Sequence, residues 1–232
     1  MFAANHQNAF DAAIAAATQA LRNEDLVVQK IALWLFNSLV TRKQSKAFPV
    51  ATNAAKQALL NLDPDIHNAA LHLFNILLLT TNYLDAFPAA IAAASQALQQ
   101  QDVNIQEAGR ALFNTLFTTN HLDAFPAAIK AATKAILHKE VDIQNSGLKL
   151  FNALFTASHT EAFPSAIKAA TQAIQQQNTD IQEAGLCLFD KLVEANQGKM
   201  VYETLQKLTS EERIKIPGLQ KLFEELQRQY SQ

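Results

Sequence analysis

Apolar residues along this chain recur at helical spacing inside a longer period. In residues 85–122, Phe87, Ile91, Ala94 and Leu98 fall at i, i+4, i+7 and i+11, one stripe of a helix. After the polar run Gln99-Gln100-Gln101-Asp102, the stripe Ile105, Gly109, Leu112 and Leu116 follows. The pattern predicts two consecutive helices, here called A and B. Asp85 is the expected N-cap of A, and Pro88 lies in its first turn, where a missing N–H breaks no bond. Asn104 with Glu107, and Asp180 with Glu183, are the expected capping pairs of B, and Asp65 and Asp142 start the same helix in two other copies.

The pair repeats along the chain. Phe10, Phe48, Phe87, Phe125 and Phe163, each after an alanine, step by 38, 39, 38 and 38 residues. Leu-Phe-Asn at 35–37, 73–75, 112–114 and 150–152, then Leu188-Phe189-Asp190, keeps the same step. A period near 40 marks stacked helical hairpins, none of which can bury its apolar faces alone. The A stripe returns as Phe10, Ile14, Ala17, Leu21, as Phe125, Ile129, Ala132, Ile136, and as Phe163, Ile167, Ala170, Ile174. In the second copy Thr52 takes the Ile position. The B-helix glycine returns at Gly147 and Gly185, with Ala32 and Ala70 in the first two copies. Glycine within a helix is about 1 kcal/mol worse than alanine, so three at one register predict a close crossing against the Ala-rich A helix.

Residues 1–196 therefore divide into five hairpins starting near 9, 47, 86, 124 and 162. Residues 1–8 align with the end of a B helix and are expected to be the remnant of a preceding repeat. Residues 197–232 are expected to form a C-terminal helical cap. One of its helices carries Val201, Leu205 and Leu208 on a face, Thr209 with Glu212 forms a capping box, and Pro217-Gly218 makes a break. In the last helix Leu219, Leu222, Phe223 and Leu226 point inward.

Two-helix units of this length resemble HEAT repeats and, more loosely, armadillo repeats. The resemblance covers roughly residues 1–196 and is one of period and pattern. The A helices carry proline near their start rather than mid-helix, and the Asp and Arg ladder usual in HEAT units is absent. The resemblance implies an all-α fold: a right-handed α–α superhelix of about five hairpins plus C-terminal capping helices, with the B helices lining its concave face. Folds of this kind host scaffolds, transport receptors and a few enzymes.

On each B helix a second stripe lies almost opposite the apolar one. Its members are Lys30, Trp34, Asn37, Thr41; Asn68, His72, Asn75, Leu79; Glu107, Ala111, Asn114, Thr118; Asn145, Lys149, Asn152, Thr156; and Glu183, Cys187, Asp190, Glu194. Asn37, Asn75, Asn114 and Asn152 form a ladder whose amides suit the backbone of an extended peptide. It resembles the ladder of armadillo import receptors, but only Asn37 has a tryptophan, Trp34, about a turn before it. Expected partner-binding residues are Trp34, Asn37, His72, Asn75, Asn114, Lys149, Asn152 and Asp190. The competing reading is that each Asn bonds its neighbour and stiffens the stack. Lys30 at one end and Glu183, Asp190 and Glu194 at the other grade the charge of the stripe.

Composition narrows the function. With net charge −2, no basic excess is available to neutralise a phosphate backbone, which argues against nucleic acid. Cys187 is the only cysteine, so no internal disulfide forms, and no histidine is placed to make it a nucleophile. His67 and His72 are five residues apart on different faces, so no helical metal pair is expected, and no cofactor either. MFAANHQNAF has no basic flank or apolar run, and Ala69–Leu79 is too short to span a bilayer. A cytoplasmic location follows as the expectation, with secretion by a signal-independent route left open.

The expected function is a non-catalytic interaction scaffold holding a peptide or protein segment on the B-helix face. One alternative is a self-assembly module, or part of a larger repeat protein, that associates end to end through an open first helix around Ile14. The other is a HEAT-like enzyme acting on nucleic acid. The Gln-, Asn- and Phe-rich style points to a bacterial protein, an effector among the options.

Overall fold

The computed structural model describes residues 2–81, 83–157, 159–216 and 218–230, with side chains from Asn8 onward. Its described residues fold into thirteen α-helices and one π-helical turn. They form two compact units, Met1–Ala127 and Ala128–Gln232.

The first unit holds α1 (Phe2–Ala20), α2 (Leu26–Thr41), α3 (Ala47–Ala58), α4 (Pro64–Asn75), the π-turn (Ile76–Thr80), α5 (Ala86–Ala97) and α6 (Val103–Thr118). Each odd helix pairs with the even one after it. The even helices α2, α4 and α6 lie side by side, and α3 lies between α1 and α5. Phe36, Phe74 and Phe113, from the Leu-Phe-Asn triplets, are fully buried.

On α5 the buried face includes Phe87, Ala94 and Leu98 of the expected stripe and extends to an alanine edge beside it. Ala86, Ala90, Ala93 and Ala97 are all 0 % exposed, whereas Ile91 is only half-buried. Methyl-only faces let two backbones approach, and the B helix uses that approach. A Cβ on Gly109 would sit 2.7 Å from the Ala97 Cβ and 2.9 Å from the Ala94 carbonyl oxygen. The close crossing read from the glycines is therefore present.

The capping residues stand two places earlier than expected. Asp63 and Asp102 have extended backbone, and each accepts hydrogen bonds from two N–H groups, of Asp65 and Ile66 and of Asn104 and Ile105. The isoleucines that open the B stripe, Ile66 and Ile105, thus lie at the third helical position of α4 and α6. Asp85 makes no cap bond, because its own backbone is helical. The turn before α5 is closed instead by the Ala86 and Phe87 N–H groups donating to the Tyr83 and Leu84 carbonyls.

The single 39-residue step has a local cause. LFNILLLTTNYLDAF carries one residue more than LFNTLFTTNHLDAF. The surplus is taken up in the π-turn, where the Thr81 N–H donates to the Ile76 carbonyl five residues back. Register is regained by Tyr83, whose ring meets Phe48 edge-on at 5.3 Å, as His121 stacks on Phe87 at 4.2 Å. By contrast, α1 runs unbroken from Phe2, so the stretch aligned with the Asn120-His121 turn is helical here. Such an Ala-rich run favours helix.

The second unit holds most of α7 (Ala124–Ile136), then α8 (Val141–Thr156), α9 (Ala162–Ile174), α10 (Thr179–Glu194), α11 (Gly198–Leu205), α12 (Ser210–Ile214) and α13 (Leu219–Tyr230). Its glycines repeat the close crossing: a Cβ on Gly147 or Gly185 would lie 2.9 or 2.8 Å from the Cβ of Ala135 or Ala173. Asn178, not Asp180, caps α10, and Glu140 precedes α8 without a cap bond. Helix α11 packs on α9, α10 and α13. The Thr209–Glu212 capping box forms. Buried Arg213 donates to the Leu205 and Leu208 carbonyls and lies 3.9 Å over the Phe223 ring. Gly218 takes φ +85°, while Pro217 lies outside the described residues. Leu219, Leu222, Phe223 and Leu226 face inward.

One recurring polar bond was not foreseen. The Gln after each B-helix Ile, or at its register, donates from Nε2 to the carbonyl six residues back: Gln29 to Asn23, Gln106 to Gln100, Gln144 to His138 and Gln182 to Gln176, at 2.6–2.8 Å. It ties the A–B loop to the B helix. The second hairpin has His67 there, buried, with Nδ1 unpartnered.

Two predictions follow from this packing. Gly109→Ala gains about 1 kcal/mol of helix propensity but forces a contact whose overpacking costs about 1–3 kcal/mol, so urea unfolding should show a net loss. A raised midpoint would mean the crossing is not tight. Burial lowers the His67 pKa, outweighing Asp102 and Asp63. The unfolded state therefore binds the proton more readily, and stability falls as pH drops below about 6.5. His67→Gln should remove that acid-side loss and add roughly 1 kcal/mol from the clamp bond. Midpoints at pH 7.5 and 5.5 check both; an unchanged pH dependence in the variant would rule His67 out as its source.

Candidate interaction face

In the first unit, helix packing sets the expected residues on three adjacent B helices. Trp34 on α2 is 51 % exposed, and its ring centroid is 5.7 Å from that of exposed His72 on α4, tilted by 46°. One turn on, Asn37 is only 4 % exposed, and neither its amide oxygen nor its nitrogen has a partner. Asn75 is half-buried, and its Oδ1 accepts a 2.8 Å hydrogen bond from Thr115 Oγ1 on α6. Asn114 is half-buried on α6. The ladder members thus differ: Asn75 stiffens the stack through one oxygen, whereas Asn37 has no such bond. The cause is in the sequence. At the register of Thr115 the second hairpin has Ile76, which offers no hydroxyl, and the π-turn that Ile76 opens packs on α2.

Charges around this face are paired. Lys30 bridges to Asp65, and Glu107 to Arg110. Between α4 and α6 lies a cleft of about 320 Å³ lined by His67, Asn68, Leu71, Glu107, Arg110 and Ala111 among others. Leu79, beyond Asn75, is exposed.

In the second unit, Lys149 and Asn152 are exposed on α8. Asn152, Thr156, Phe163, Lys191, Glu194 and Asn196 line a cleft of about 450 Å³. Asp190 is exposed on α10, and partial burial followed by the nearby Glu194 and Glu225 carboxylates raises its pKa. Cys187 shares this neighbourhood. Partial burial of the thiol, then Asp190 and Glu183, push its pKa up. A thiol held protonated is a poor nucleophile. Among the described residues no cluster of His, Cys, Asp and Glu could hold a metal ion, and no helix is long and apolar enough to cross a membrane.

Sequence reasoning placed Trp34 and His72 on one face but did not foresee their ring contact, the Thr115–Asn75 bond or the isolation of Asn37. The signal was the residue after each triplet, Thr115 in the third hairpin but Ile76 in the second.

The architecture has known counterparts. The MAST/Orbit N-terminal domain matches with a TM-score of 0.62 at 14 % identity, over 91 % of this chain and 96 % of that one. A chain from the structural study of microtubule plus-end tracking by XMAP215, CLIP-170 and EB1 matches with a TM-score of 0.58 at 12 % identity, over 92 % and 89 %. No family model matches the chain, and no curated protein matches its sequence. The fold is an all-α solenoid of the HEAT and armadillo type.

Cys187 yields a direct check. Its labelling by a thiol reagent near pH 8 should run several-fold slower than that of a free cysteine, because the thiolate fraction is small. Asp190→Asn should speed it. Labelling as fast as free cysteine would contradict the raised pKa.

Proposed function

We propose that this chain is a non-catalytic interaction scaffold that binds an extended segment of another protein on the B-helix face of α2, α4 and α6. Trp34 and Asn37 stand at the centre of the site. One observation carries the reading: the Asn37 amide is buried with both polar atoms unpaired. An unmet buried polar group costs about 1–3 kcal/mol, and a leucine there would avoid it. The backbone of an extended peptide supplies one donor and one acceptor per residue, which is what this amide lacks, and it reaches them when the Asn37 side chain, shut off from solvent in the free chain, turns outward on binding. Trp34 supplies a rigid apolar anchor beside it, with His72 as its wall. The Asn75 nitrogen and Asn114 continue the same face on the next two helices.

Lys149 and Asn152 on α8 and Asp190 on α10 are the second unit's share of the proposed binding residues. The Asp190 carboxylate, with Glu194 beside it held by Lys191, favours a basic stretch of partner.

The test is a random-peptide display library panned against the whole chain. Enriched peptides should bind Trp34→Ala at least about tenfold more weakly, a loss typical of a central aromatic anchor. Asn37→Leu should weaken the same peptides similarly while raising the unfolding free energy by about 1 kcal/mol, because the unpaired amide is gone. Peptides that bind all three proteins equally would place the site elsewhere. A library that yields no binder would remove the reading.

A further inference from the structure

The exposed side of the A helices changes character along the chain. Five residues after the A-helix phenylalanine stand Ala15, Asn53 and Ala92 in the first three hairpins, then Lys130 and Lys168. Nine residues after it stand Gln19, Gln57 and Gln96, then Lys134 and Gln172. Helices α7 and α9 thus carry three lysines and no carboxylate. All three lysines are exposed, and among the described residues none has an ion pair. Elsewhere in the second unit Lys139, Lys191, Lys215 and Lys221 each have a carboxylate within 3.9 Å. The three unpaired lysines rim a cleft of about 520 Å³ between α7 and α9. Its floor on α7 is Ile129, Thr133 and Leu137, all half-buried.

We infer that this cleft docks an acidic amphipathic helix of another protein. Charge selects the sign of the partner, because three exposed cations with no carboxylate on either helix attract acidic side chains and repel basic ones. Lys130 and Lys134 are one helical turn apart, the spacing of two glutamates at i and i+4. Ile129 and Leu137 lie about 12 Å apart along α7, which matches an apolar stripe about two turns long. The walls of the cleft are helices whose backbone groups are bonded internally. They offer an extended backbone nothing to pair with, whereas a helix satisfies its own. The apolar residues lie beneath the lysines instead of projecting past them, so a flat lipid surface would meet the charges and leave the floor uncovered. The site uses neither Trp34 nor Asn37, so its success or failure is separate from that of the α2–α6 face.

The experiment pans a displayed library of single helices, about 15 residues long and randomised on one face, against the full chain. Binders are then measured on Trp34→Ala, on the triple variant Lys130→Glu, Lys134→Glu, Lys168→Glu, and on Leu137→Ser, which leaves the charges in place. One class of peptides should bind Trp34→Ala as well as wild type and carry Asp or Glu on both sides of an apolar stripe. The triple variant should weaken that class at least about tenfold, since like charges then face each other. Its circular dichroism spectrum should be unchanged, because all three positions are exposed. The neutral triple Lys→Gln should weaken the same peptides in the same direction, and Leu137→Ser should weaken them too. Absence of any lysine-dependent peptide, lysine-dependent peptides without acidic residues, or binding indifferent to Leu137→Ser would each overturn the assignment. Co-sedimentation with phosphatidylserine–phosphatidylcholine vesicles that is lost in the triple variant would overturn it in favour of a lipid surface.

Discussion

The distance between paired A and B helices governs this molecule. Alanine on one side and glycine or alanine on the other bring the two backbones to a spacing that no larger side chain would fit, with Gly109, Gly147 and Gly185 each meeting a carbonyl oxygen and a methyl. Everything bulkier is displaced to other faces. The phenylalanines of the Leu-Phe-Asn triplets fill the interior behind the seam, and the aromatics at the B-to-A turns stack over its end, Phe117 on Phe125 at 5.0 Å and Phe155 on Phe163 at 5.1 Å. Dispersion between atoms in close register is small per pair and large in sum, so a seam of small residues can still hold.

Tight seams need rigid loops, and the chain supplies them with polar groups. Asp25, Asp63, Asp102 and Asn178 cap B helices, and Gln29, Gln106, Gln144 and Gln182 clamp them, so every A–B turn is tied to the B helix that follows it by at least one such bond. Asn120 and Asn196 accept the left-handed conformation after a B helix, and Lys43 does so as well at φ 56°, a conformation that suits asparagine better. With loops and seams this constrained, a polar side chain left without a partner is conspicuous. Asn37 is in that position because the hairpin beside it lacks one hydroxyl.

Period and stripe made the hairpins legible from the sequence, because stacked repeats write the same burial pattern several times. The glycines were legible too, since their helical penalty demands a reason. The caps were misplaced by two residues because Asp102 and Asn104, or Asn178 and Asp180, are chemically alike, and only backbone geometry separates them. On α5 the expected stripe was right at Phe87, Ala94 and Leu98 and wrong at Ile91, where hydrophobicity favours the isoleucine but packing distance favours Ala90. The interaction face was half legible: Trp34 and His72 fall on one stripe by arithmetic. Which asparagine is paired depends on Thr115 and Ile76, a difference that becomes meaningful only when the helices are set side by side.

The π-turn at Ile76–Thr80 bears on how such an array changes length. An extra residue in a straight helix rotates all that follows by about 100° and would turn the next hairpin's small-residue seam away from its neighbour. Here the rotation is spent within five residues, and Tyr83 is back over Phe48 before α5 begins. Insertions can therefore accumulate in this stretch one at a time without any hairpin being recut. The length of a repeat is free to drift, while the placement of its aromatic latch is not.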